Sequence, residues 1–531
     1  MMIDLLLNGL VSVPAGFALL TWLASGRERL AVVTAVLGAF ATFAWSLWLA
    51  AAYDGPLGGS GSTIDVVWLE SLDIHWKLGV DGISVPLVLM TTLVFVTALL
   101  SLVRYAPAVA EGGPSRTASL AALLLVIEAG VLGSFLALDM VLFFAFFEVA
   151  LIPMWFVINT WGDPADGPAR RRAATRFLLF TVTGSAVMLV GFLLVWGGAD
   201  TFDITQVAAT YTPSGATALA ASLLVGIGLA VKTPLWPLHI WLPDAHSKAP
   251  TVGSVILAAV LLKLGTYGFL RFWMPITSPE WLLVPVVAAL AVVGIVYAAL
   301  ACLAQTDLKR LIAYSSVGHM GFVVLGAATF TVGGVQAAVF ASVAHGLITG
   351  LLFFLAGAIK DRYGTSDLAR LKVLYGTVPR LGGVFVFAAM ASLGLPGLAG
   401  FWGEMLAIRA AVEQAAVLPE DTYRWLAFIA ALGVILTSAY FLALVRGMLQ
   451  GGPMTPVTAA TEVDATVELV ADAVPAGPGA VAGERAMVDV RGLEWATWAP
   501  LLLLTLVLGV APGLLLTPVA DAAVSFLGGI G

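Results

Sequence analysis

Two lysines, Lys232 and Lys263, stand inside long runs of apolar residues, and Lys232 is followed at once by a proline pair, Pro234 and Pro237. An ammonium in hydrocarbon costs a few kcal/mol or more, so one held there marks chemistry that outweighs the cost. Three carboxylates, Glu128, Glu148 and Glu404, are embedded in the same surroundings. Desolvation disfavours the charged form of such a group and an opposite charge restores it, so buried lysines and glutamates in series can hold and release protons in turn. His239, His319 and His345 also fall inside apolar runs, and a group that titrates near neutrality both accepts and donates protons. Together these residues read as a proton path.

Each member also has a plainer reading. Lys232 could snorkel to an interface, Lys263 could cap a carbonyl, Glu404 could cap a broken helix, Glu128 could make an interhelical hydrogen bond, and the histidines could be satisfied core residues. Asp244, Ser315 and Ser316 read as local support. His75 and His246 fall in loops, outside the path. A single cysteine, Cys302, excludes an internal disulfide and any multi-cysteine iron–sulfur or zinc site. No pair of histidines has the placement that a bis-histidine haem needs.

The elements that must position these groups are membrane helices. The chain of 531 residues is 60% hydrophobic and 11% charged, against about 25% charged in a soluble domain. Apolar stretches of roughly 20 residues, each long enough to cross a ~30 Å hydrocarbon core as a helix, lie near 3–24, 30–52, 84–104, 117–137, 138–160, 174–197, 218–241, 251–273, 281–303, 309–330, 333–359, 377–412, 424–446 and 495–517. Only Leu138 and Asp139 separate the fourth from the fifth. This predicts an all-α polytopic protein of about fourteen spans. With those boundaries, nearly all the remaining Lys and Arg fall on one side, leaving Lys77, Arg271, Arg409 and Arg424 on the other. The basic side is expected to be cytoplasmic, with both termini external. The first apolar stretch carries Asp4 and no basic lead or cleavage site, so it reads as a retained helix.

The net charge of −7 comes from acids in outer loops and one cytoplasmic segment and suggests no nucleic-acid role. Residues 53–80 alternate apolar positions such as Val66, Trp68 and Trp76, which predicts a hairpin on the outer face. Residues 447–494, rich in Ala, Pro, Gly and acids, read as a mobile cytoplasmic loop or a surface helix. Prolines interrupt two spans, at 228–250 and 390–410. A proline inside a membrane helix frees carbonyls that protein or water must satisfy. Breaks in matching places, five spans apart, point to inverted repeats and a transport site.

Four segments carry a resemblance: FFEVALIPMWFV (146–157), VKTPLWPLHIWLPDAHSKAPTVGSVILAAVLLKLGTYG (231–268), DLKRLIAYSSVGHMGFV (307–323) and PGLAGFWGE (396–404). Over nearly its whole length the chain resembles the antiporter-like membrane subunits of respiratory complex I. That superfamily also contains multisubunit cation/proton antiporters and membrane-bound hydrogenases. Glu404, where sister subunits carry lysine, is similar to one subunit type of the bacterial complex.

The resemblance implies two inverted five-helix repeats, at 117–280 and 281–446, after N-terminal helices and an outer loop (1–116) and before a loop (447–494) and a C-terminal helix (495–531). It implies proton translocation driven by quinone reduction elsewhere, through Glu148 and Lys232 as a switching pair, Lys263 as a midpoint relay and Glu404 as the terminal carrier, with His319, His345, His239 and Glu128 along the way. FMN, iron–sulfur clusters and quinone would belong to partner subunits, and no cofactor or metal to this chain. Partners would be the other membrane and peripheral subunits of complex I and the lipid of the inner (plasma) membrane. The alternatives are a subunit of a Na+/H+ antiporter or of a membrane-bound hydrogenase, or a scaffold with a dead path.

Overall fold

A chain in hydrocarbon must satisfy every backbone N–H and C=O internally, and an apolar run of about 20 residues does so as a helix. The computed structural model describes residues 2–53, 62–103, 116–372, 374–449 and 488–529 and is an all-α bundle with one small β-hairpin. Twelve helices among the described residues are long and apolar enough to cross a membrane.

In chain order, α1 (Met2–Leu23) and α2 (Glu28–Ala52) precede the hairpin of β1 (Thr63–Leu69) and β2 (Ile74–Gly79), in which Asp65 lies opposite Lys77. Next come α3 (Ser84–Leu102), α4 (Arg116–Leu136), α5 (Met140–Trp161), α6 (Gly167–Ala199) and the short α7 (Ile204–Thr210). α8 (Gly215–Lys232) and α9 (Leu242–Lys248) are the two parts of a broken segment. α10 (Thr251–Ile256) and α11 (Leu262–Gly268) belong to one span, Thr251–Ile276, with π-helical turns at Leu257–Leu261 and Phe269–Trp273. α12 (Leu283–Leu303), α13 (Leu308–Ala327), α14 (Val332–Tyr363) and the single turn α15 (Leu374–Thr377) lead to a second broken segment, α16 (Pro379–Ser392) and α17 (Ala399–Val412). α18 (Glu420–Leu449), α19 (Gly492–Val510) and α20 (Gly513–Gly528) close the chain.

The span Thr251–Ile276 is buried throughout its apolar window, and α14 almost throughout. These two form the axis on which polar groups can be shielded. The outer helices turn large apolar side chains outward, among them Leu179 on α6 and Ile435 on α18, as lipid contact requires.

Most expected boundaries hold. Asp139 separates α4 from α5 by capping the latter, its Oδ1 accepting from the amides of Val141 and Leu142 at 2.8 and 2.9 Å. The predicted hairpin is present, and Trp76 docks it by donating from Nε1 to Asn8 Oδ1 at 2.8 Å. The break in 390–410 falls where Gly394 and Gly397 adopt φ of +81° and +93°, a region that favours glycine.

Two expectations change. The C-terminal segment is two helices, because Pro512 has no N–H with which to continue the ladder of α19. Of the 447–494 loop, residues 450–487 lie outside the described residues. Its far end is pinned: Asp489 accepts from the amides of Arg380 and Leu381 at 2.9 and 3.1 Å, and Arg362 holds Glu494 bidentately at 2.7 and 2.9 Å.

Candidate proton path

Lys232 is the last residue of α8, because Pro234 ends the ladder there. Its side chain is buried, and its Nζ has no hydrogen-bond partner among the described residues. The ammonium instead lies 4.5 Å from the centre of the Phe147 ring, a cation–π contact. Glu148 follows on α5, half-buried, with an unpartnered Oε1. Glu148 and Lys232 make no ion pair within contact distance among the described residues. Successive residues on a helix point about 100° apart, so when Phe147 faces the lysine Glu148 acts on it only through space.

The second cluster is continuous. Lys263 on α11 is fully buried; its Nζ donates to the Ala258 carbonyl at 2.6 Å, within the π-helical turn, and lies 2.6 Å from His345 Nδ1 on α14. The His345 ring is 5.5 Å from that of His319 on α13. His319 then reaches across the second break, with Nδ1 3.0 Å from Glu404 Oε1 on α17 and Nε2 3.0 Å from Ser392 Oγ at the end of α16. Glu404 Oε2 and His345 Nε2 have no partner among the described residues. A cavity of about 20 Å³ lies between His319, His345, Ser392 and Glu404, roughly the space one water needs. Four helices thus bring together a lysine, two histidines and a glutamate, with steps of hydrogen-bond length or one short gap.

The two clusters are held close because Gly265 lies against the break after Lys232: a Cβ there would stand 2.7 Å from the Thr233 amide nitrogen. His239 is buried in the first break between the rings of Tyr297 and Tyr314, at 5.1 and 6.2 Å, with neither nitrogen partnered among the described residues. Glu128 is fully buried on α4, and among the described residues neither of its oxygens has a partner, so it joins neither cluster by a hydrogen bond.

One residue was misplaced by sequence reasoning. His246, expected in a loop, is fully buried on α9 and stacked on Phe353 at 4.5 Å, with neither nitrogen partnered among the described residues. Two others stand where expected, but their burial was missed. Lys309, at the head of the expected span 309–330, is buried at the start of α13 and ties down the end of α9 by donating to the Ala249 carbonyl at 3.1 Å. Arg271, near the end of the expected span 251–273, is buried within Thr251–Ile276. The signal for His246 was its setting in the LPDAHSK segment directly after the helix break; nothing of that kind marked the burial of the other two.

Residues 137–419 match the model of the family described as NADH:quinone oxidoreductase/Mrp antiporter, TM. The NADH-quinone oxidoreductase subunit M of Rhodobacter capsulatus is 38% identical over 501 residues, covering 92% of this chain and 88% of the relative. The chain belongs to this antiporter family. An NAD(P)H-quinone oxidoreductase chain 4 of Synechococcus is 40% identical over 390 residues, covering 72% of this chain and 71% of the relative. Among solved structures, a chain of respiratory complex I from Thermus thermophilus matches with a TM-score of 0.82 and 28% identity, covering 99% of this chain and all of that one. A chain of the Mrp complex of Dietzia has the same fold, with a TM-score of 0.78 at 23% identity. Both clusters lie within the family's matched residues, and as a family member the chain is a multi-pass membrane protein.

Proposed function

We propose that the chain is the M-type, proton-translocating membrane subunit of an NADH:quinone oxidoreductase. It moves protons along its buried polar axis while flavin, iron–sulfur and quinone chemistry runs in partner subunits. The observation that carries this is the Lys263–His345–His319–Glu404 series, which joins the core span to the second helix break with groups that can each take up and give back a proton. Lys232 and Glu148 form the other end. With no counter-ion in contact among the described residues, Lys232 is free to change its charge as the field of Glu148 varies, and His239, His246 and Glu128 are further buried groups without partners among the described residues. Water bridging these groups would complete the path.

The two broken segments, α8/α9 and α16/α17, are the corresponding places of two inverted repeats at 117–280 and 281–446. The basic face is cytoplasmic, the hairpin and both termini are external, and the membrane is the inner (plasma) membrane. The test is the proton-to-electron ratio of the whole complex in sealed vesicles with Lys263→Gln: the ratio falls while NADH oxidation under an uncoupler persists. An unchanged ratio refutes the path. Purification of the chain with ion-exchange subunits and without flavin or iron–sulfur partners would point instead to a Na+/H+ antiporter.

A further inference from the structure

Lys263, Tyr267 and Arg271 lie four residues apart on the same buried span, so they share one face. Eight residues of helix amount to about 12 Å, which carries this face from the relay lysine towards the outer side. At its end Arg271 is 2% exposed and donates from Nη2 to Asp81 Oδ2 at 2.6 Å and from Nε to the Tyr267 hydroxyl at 3.3 Å. Aromatic rings lie on either hand, Tyr267 at 5.6 Å and Phe526 of α20 at 5.4 Å. Asp81 is equally engaged: Oδ1 accepts from the amides of Ile83 and Ser84, both at 3.0 Å.

A cavity of about 460 Å³ opens against this pair. Arg271 and Asp81 line it together with Tyr53, Thr205, Asp521 and Ser525, whereas Tyr267 and Lys263 do not. Of the three residues on this face, Arg271 is the one that reaches the cavity.

A guanidinium does not deprotonate in a protein, and both oxygens of Asp81 are occupied, so neither partner is suited to pass a proton on. A fixed buried cation instead repels protons, as charged constrictions do in pores. We propose that Arg271, held by Asp81, is an electrostatic barrier that keeps protons in the outer cavity from running back to Lys263. The proposal rests on the proton path above. A relay lysine exposed to the outer face, which the pump makes acidic, would discharge the gradient, and the carboxylate of Asp521 would draw protons to the cavity. α20 completes the barrier by laying Phe526 over the guanidinium.

The experiment uses the whole complex in sealed vesicles without NADH, with the membrane potential clamped, an acid step applied at the outer face and the inner pH read by a trapped dye. Arg271→Gln is expected to raise passive proton permeability at least tenfold, as is the pair Asp81→Asn/Arg271→Gln, which leaves no buried charge alone and serves where the single variant does not assemble. Arg271→Lys stays near the parent. Asp81→Asn alone keeps the guanidinium and stays tight, although it breaks the same contact, which separates a charge barrier from loosened packing. Adding Lys263→Gln to the leaking variant should close the leak. Parent-level permeability in both charge-removing variants, a leak in Asp81→Asn, or a leak that persists without Lys263 overturns the proposal; so does loss of pumping in Arg271→Gln without any leak, which would make Arg271 a carrier. Failure of the underlying path appears separately, as an unchanged proton-to-electron ratio in Lys263→Gln with Arg271 intact.

Discussion

Glu404→Gln isolates charge from shape. The amide keeps the size of the carboxyl and an oxygen that can still accept from His319 Nδ1, now 3.0 Å from Glu404 Oε1, so the second break should remain folded. What disappears is the attraction between an imidazolium and a carboxylate. At 3.0 Å, with an effective dielectric constant near 20, this attraction is on the order of 5 kcal/mol before the cost of burying both charges. Desolvation of both charges offsets much of it, and what remains is the favourable pairing that the amide removes. The amide also cannot carry that proton further. Glu404→Gln should therefore lower the proton-to-electron ratio of the assembled complex in vesicles, with uncoupled NADH oxidation retained. Glu404→Lys should restore part of the ratio, because an ammonium can run the same step with the opposite charge. A parent ratio in Glu404→Gln would mean that protons leave by another route and that Glu404 only caps the broken segment.

Glu148→Ala should reduce pumping more than Glu148→Asp, since only the former removes the charge that acts on Lys232; equal ratios for the parent and the alanine variant would refute the switch. Reporters inserted after Arg172 and Arg362 should read cytoplasmic and one after Glu280 external, and any other pattern overturns the orientation. Gly265→Val should lower the melting temperature of the complex, because its Cβ would press on the Thr233 backbone at 2.7 Å and overpacking of this kind costs about 1–3 kcal/mol; an unchanged melting temperature would show that the break can yield. The hairpin should loosen as pH rises. The hydrogen bond that His75 donates to Asp65 raises the pKa of His75 above its ordinary 6.5, so that contribution is complete below 6.5 and lost as pH climbs through the raised value. Burial lifts Asp139, which holds the His75 amide at 3.1 Å, to about 6 from an ordinary 3.8, so the folded state binds the extra proton only between those values and stability falls across that window. Hydrogen exchange of the hairpin amides, corrected for intrinsic rates, should speed up with pH; His75→Gln should flatten the upper part of the profile, and tightening at alkaline pH would refute the assignment.

Spans were legible because hydrocarbon leaves a chain few choices: apolar length sets each helix, and proline and glycine mark where it must stop. Lys232, Lys263 and Glu404 could be found for the same reason, since a charge in an apolar run stands out. Contacts could not. Glu148 and Lys232 look like partners in the sequence, yet the close contact that Lys232 makes with α5 is the ring of Phe147. Arg271 escaped notice because it stands near the end of its apolar run, where a snorkelling arginine looks the same as a buried one until Asp81, 190 positions away in the chain, is brought beside it. His246 was hidden by the proline-rich stretch around it, which reads as a loop although it folds back into the core.

The buried ionisable groups divide into two kinds. Arg271–Asp81, Arg362–Glu494 and Lys77–Asp203 are closed pairs, with contacts of 2.6, 2.7 and 2.5 Å. Breaking such a pair costs roughly 3–5 kcal/mol when one partner is left charged and alone, so a proton that had to open it would pay that at every passage. Lys232, Glu128, His239, His246, one oxygen of Glu404 and one nitrogen of His345 are left short of partners. Their charge can change without undoing a pair, and neighbours of intermediate strength, the Ala258 carbonyl on Lys263 and Ser392 on His319, keep them oriented in between. The saturated pairs tie separate segments of the chain to one another, whereas the groups left unsaturated are those whose charge can change without breaking a pair.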